Sequence, residues 1–255
     1  MLDFLLTDIS ALLILYIVTM GFVAGVIKGI VGFAMPMIFI TGLTVFVAPD
    51  LALAVLILPT LVTNVWQAMR EGPQAAWWSL IDHRLYLGIV CAAMIGVTQI
   101  VPALDVSVYF LILGVVIVIF AAILLTGWQP NARQSTPLHV GLALVAGFAG
   151  GVSAILGPPT VTYLNTLNID KRSFMRVQGV FYGLCAVVFM IGHILSGIVT
   201  RPRLELSLMV VPAALLGIWV GFMVQDRINQ RAFRMATLIV LIISGLNLIR
   251  RGLMG

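Results

Sequence analysis

Residues 9–36 read ISALLILYIVTMGFVAGVIKGIVGFAMP. No charge occurs from Ile9 to Ile27, which is nearly the ~20 residues a helix needs to cross a bilayer core. Lys28 follows, bracketed by Gly25, Gly29 and Gly32, and then comes Pro36. A continuous apolar run predicts a helix, because a lipid-facing barrel strand alternates with period two. The glycines and the proline predict that this helix breaks and that a new one begins near Pro36.

The rest of the chain has the same character. Of its 255 residues, 62% are hydrophobic and 9% charged, against about 45–50% and about 25% in soluble domains. No soluble fold of this length could cover so much apolar side chain. An all-α polytopic membrane protein is expected. Ten apolar segments stand out, at roughly 9–31, 35–48, 51–69, 84–101, 106–126, 138–156, 159–168, 174–198, 206–224 and 232–249. The second and seventh are short for a crossing, so eight to ten transmembrane segments are expected, two of them broken or re-entrant. The first basic residue is Lys28, so no removable signal peptide with a positive leading region is expected.

Both short segments begin at a Gly/Pro break, the second being Leu156-Gly157-Pro158-Pro159-Thr160. Sliding residues 21–72 onto 147–197 aligns Gly21 with Gly147 and Gly25 with Gly151. One deletion then brings Gly32 to Gly157 and Gly72 to Gly197. The chain therefore divides into a first repeat at 1–127, a polar linker at 128–137 and a second repeat at 138–255. Interrupted short segments at matching places in two halves point to a transporter's binding site.

The net charge of +5 is scattered between apolar runs, as topology-setting charge is, and implies no nucleic-acid partner. With five crossings per half and the N-terminus outside, nine basic residues fall inside: Arg70, Arg84, Arg133, Lys171, Arg172, Arg176, Arg227, Arg231 and Arg234. Four fall outside: Arg201, Arg203, Arg250 and Arg251. This excess favours that orientation, and an odd number of crossings makes the repeats inverted. If the short segments return without crossing, the repeats are instead parallel.

Of the fourteen basic residues, Lys28 is the one that no loop claims. A charge at that depth is costly unless it faces a cavity or a partner, and no acid lies nearby in sequence. It reads as a cation for an anionic substrate, the alternative being a lysine that snorkels to the interface. Pro36, Pro158 and Pro159 suit the first turn of a helix, where a missing N–H costs nothing. Two such helix starts, with Gly25, Gly29, Gly32 and Gly157 beside them and Thr160 adding a hydroxyl, would cradle an oxyanion. Thr60, Asn64 and Gln67 share one helix face, and Gln178, Tyr182 and His193 another, as a cavity lining would. Interhelical hydrogen bonding is the plainer use of both stripes.

Cys91 and Cys185 lie singly in apolar runs and read as buried thiols, so neither a metal nor a cofactor is expected. All nine acidic residues lie near segment ends, which leaves no obvious carboxylate relay for protons.

The duplicated motif, Gly21 through Pro36 with its echo at Gly147–Gly151 and Gly157–Thr160, resembles the TauE/SafE sulfite exporter family, also called the toluene-sulfonate uptake permeases. The resemblance spans nearly the whole chain. It implies a multi-pass transporter of the bacterial inner membrane, moving sulfite, sulfoacetate or a related anion. The expected substrate is thus a small sulfur oxyanion, and homo-oligomerisation is left open. A channel or uptake permease for a related carboxylate or sulfonate is the alternative. An intramembrane enzyme is disfavoured: His193 and Ser196 are close in sequence, but nothing pairs a base and nucleophile with an oxyanion hole.

Overall fold

The computed structural model describes residues 11–100, 103–126, 136–153, 156–167, 169, 171–225, 227 and 230–254. The described residues form eleven α-helices and no strands. They are α1 (Ala11–Val31), α2 (Met35–Leu43), α3 (Pro49–Met69), α4 (Pro73–Asp82), α5 (Arg84–Thr98) and α6 (Val106–Thr126). Then follow α7 (Thr136–Ser153), α8 (Gly157–Thr166), α9 (Lys171–Leu195), α10 (Arg201–Gln225) and α11 (Gln230–Met254). By length and composition α1, α3, α9 and α10 can each cross a membrane, and α4 with α5 would make a fifth, bent span. The expected linker at 128–137 falls almost wholly outside the described residues.

The breaks occur where the glycines and prolines predict. Gly32 has φ +89°, a left-handed conformation open to glycine at little cost, and its N–H closes the end of α1 on the Lys28 carbonyl at 2.6 Å. Pro36 then lies in the first turn of α2. Pro158 and Pro159 take the corresponding place in α8.

Packing pairs helices from opposite halves of the chain. Along α1, Gly21 meets Val210, Gly25 meets Ala214, and Gly29 meets Ile218 and Gly221, so α1 and α10 run parallel with backbones in contact. Along α7, Gly147 meets Val90 and Ala93, and Gly151 meets Met94 and Val97, so α7 and α5 do the same. At the centre α3 and α9 run antiparallel: Gly179 abuts Ala68, and Gly183 faces Asn64. α6 and α11 are also antiparallel, with Gly245 against Val118 and Gly252 against Leu111.

Within α3, Pro59 cannot donate to the Val55 carbonyl four residues back. Ser207 of α10 fills the gap. Its hydroxyl donates to the Val55 carbonyl at 2.8 Å and accepts from the Leu58 N–H at 3.1 Å. In lipid such a repair is needed, because no water satisfies the freed group.

Two differences from the sequence reading have plain causes. The ten apolar segments omit α4, which is bent 79° from α5 and starts at Pro73 just after Gly72 (φ +90°). It carries exposed Trp77 and Trp78 together with Gln74 and Asp82, a composition for the bilayer interface rather than its core. α10 begins five residues earlier than the segment 206–224. Its added turn holds Arg201, Arg203 and Glu205, which a search for apolar runs excludes but a helix end at the interface accommodates.

Candidate functional site

The two breaks meet. Phe33, in the first, lies against Gly157, at the start of the helix after the second. Around this junction is a small cavity lined by Lys28, Phe33, Pro36, Thr60, Asn64, Leu156, Gly157, Tyr182, Cys185 and Ala186. α1 and α2 contribute from one side, α8 from another, and the antiparallel α3 and α9 close the rest. Its free volume is about 10 Å³, room for roughly one water.

Lys28 is 1% exposed, and its ammonium donates to the side-chain carbonyl of Asn64, itself fully buried. The ion pairs among the described residues lie elsewhere, at helix ends: Arg176 with Glu71, Arg201 with Glu205 at 3.2 Å, and Arg203 with Asp50 at 2.6 Å. Lys28 is therefore a buried amine held by a neutral amide. Two donors beside it have no partner, the Asn64 Nδ2 and the Thr60 hydroxyl. Thr60 and Asn64 stand one turn apart just beyond Pro59, with Thr63 between them bonding back to the Pro59 carbonyl at 2.6 Å. Buried polar groups are normally satisfied, so these two donors are open to a further hydrogen-bond partner.

Of the residues singled out in the sequence, Lys28, Pro36, Thr60, Asn64, Gly157 and Tyr182 line the cavity. Tyr182 lies 3.4 Å from the Gly157 carbonyl and 3.5 Å from the Gln178 amide. Gly32 faces Gln178, whose Oε1 has no partner. The others lie farther out. Gly25 and Gly29 face α10 and serve packing. The Gln67 amide donates across to the Met175 carbonyl at 2.9 Å. Thr160 is buried 3.4 Å from the Tyr86 hydroxyl, and Pro159 is buried too; the Pro158 side chain is outside the described set. His193, expected on the Tyr182 face, stacks edge-on against Phe189 near the end of α9, with Ser196 in its own local turn.

Phe33, Leu156, Cys185 and Ala186 line the cavity without having been anticipated. Cys185 and Ala186 follow Tyr182 by three and four residues, so helical spacing would have placed them on its face. Phe33 and Leu156 sit next to the glycines of the two breaks.

All-helical among the described residues, apolar and interrupted twice at one buried point, the chain is a polytopic membrane protein. It belongs to the sulfite exporter TauE/SafE family, whose model matches residues 17–248. That membership makes it a membrane transporter. Comparison with curated proteins and with solved structures finds no match.

Proposed function

We propose that the chain is a secondary transporter that exports a small sulfur oxyanion, such as sulfite or an organosulfonate, across a bacterial inner membrane by alternating access. The observation that carries this reading is Lys28: a buried cation with no carboxylate partner among the described residues, placed where two interrupted helices meet. An anion would supply the missing charge. The Asn64 amide, the Thr60 hydroxyl and the remaining Lys28 protons would satisfy the oxygens of a sulfonate-type group. The cavity is too small for such a group as it stands, and in this reading it widens at the Phe33–Gly157 contact to load.

Export is favoured over uptake because it needs no coupling ion. With the cell interior negative, each departing negative charge gains roughly 2.3 kcal/mol per 100 mV.

The two halves act in this reading as inverted repeats. Exchanging the halves sends the α1–α10 contact into α7–α5 and leaves the α3–α9 and α6–α11 contacts in place. The aligned glycines Gly72 and Gly197 share left-handed backbones, φ +90° and +77°. The test is flux from proteoliposomes loaded with sulfite. The expected result is saturable efflux that accelerates when the interior is made negative. Efflux that rises linearly with concentration, without saturation, would favour a channel.

A further inference from the structure

We infer that the site accepts a monovalent oxyanion, such as hydrogensulfite or a simple alkanesulfonate, and discriminates against zwitterions such as taurine and against dianions such as sulfate and sulfoacetate, so that of the anions the resemblance implies it takes the singly charged ones. This deepens the reading of the cavity as the substrate site and rests on it. The deciding quantity is net charge. Of the ten residues around the cavity, Lys28 alone carries a charged side chain. The described ion pairs sit at helix ends, where water can reach them: the side chains of Arg176 and Glu71 are 20% and 27% exposed, those of Arg203 and Asp50 28% and 45%. Lys28 and Asn64, by contrast, are sealed.

A buried charge is tolerated when it is matched one for one. One negative charge beside Lys28 gives a neutral site. Two leave an uncompensated anion among Phe33, Leu156 and Ala186. A zwitterion brings a second ammonium beside the first and leaves the site positive. Hydrogen bonding alone would not separate these ligands, since the donors at Lys28, Asn64 and Thr60 suit any oxygen-rich head. The same count fixes where voltage acts. A loaded carrier moves its substrate with no net charge at the site, and the empty carrier returns bearing that of Lys28.

The test measures thermal stabilisation of the purified protein by methanesulfonate, by sulfate and by sulfite, at matched ionic strength. A ligand raises the melting temperature only if it binds the folded state. Because sulfate also stabilises proteins nonspecifically, the shifts that count are those absent in Lys28→Met. A competition arm needs no variant: methanesulfonate should displace radiolabelled sulfite at a concentration at least tenfold below that at which sulfate does. Relative to methanesulfonate at the same pH, which reports any loss of charge at the site itself, the apparent affinity for total sulfite should fall about tenfold per pH unit once its second proton is lost. Sulfate matching methanesulfonate, or sulfite affinity holding level as its dianion forms, would overturn the charge rule while leaving an anion site in place. No specific binding by any of the three would overturn the substrate-site reading itself, and the charge rule with it.

Discussion

Asn64 is the residue on which the ammonium of Lys28 depends. Its side-chain carbonyl accepts from that ammonium, and both groups are buried. Hydrogen bonds to charged groups contribute about 1.5–3 kcal/mol. Asn64→Ala is expected to cost about that much stability in chemical or thermal unfolding, and to weaken anion binding as well. Unchanged stability would mean that Lys28 finds another acceptor. The importance of Lys28 was legible because a lysine in a charge-free run has few uses in a membrane. Its partner was legible only as one of a polar stripe. Nothing in the chain of letters says that the face of α3 bearing Asn64 turns toward α1, since that depends on how α10 and α9 wedge α3 between them. The same ambiguity explains Gly25 and Gly29. Spaced every four residues beside Lys28, they looked like part of a cradle, yet their face is the one that lets α10 approach.

At the scale of elements, the informative feature is the junction of the break before α2 with the start of α8. Both short helices were visible as apolar runs starting at proline, because Pro at the first turn and Gly before it are local signals. That the break before α2 touches the start of α8 is a tertiary fact, carried by Phe33 against Gly157. A methyl group at Gly157 would fall on the Phe33 ring, whereas Gly96, on α5, faces open space. Gly157→Ala should therefore lower transport at least tenfold at constant protein level. Gly96→Ala should leave transport unchanged and stabilise its helix by up to about 1 kcal/mol. Comparable flux from the two variants would detach the junction from function. The one element not anticipated is α4, for the opposite reason: its signal is amphipathic and short, and apolar-run reasoning looks past it.

For the whole molecule, topology, charge and transport meet in the ion pairs at the helix ends. Glu71 and Arg176 join the end of α3 to the start of α9 on one face, while Asp50 and Arg203 join the starts of α3 and α10 on the other. On the orientation that the positive charge favours, the first face is the cytoplasmic one. A membrane-impermeant maleimide added to intact cells should label Arg201→Cys and spare Gln74→Cys, relative to the parent chain. The reverse pattern would turn the molecule over. The claim on which the rest depends is that Lys28 holds the transported anion, and efflux of sulfite from proteoliposomes containing Lys28→Met tests it most directly. The account predicts that the variant inserts and folds but that saturable efflux drops to the level of protein-free vesicles. Efflux at the wild-type rate from Lys28→Met would contradict it.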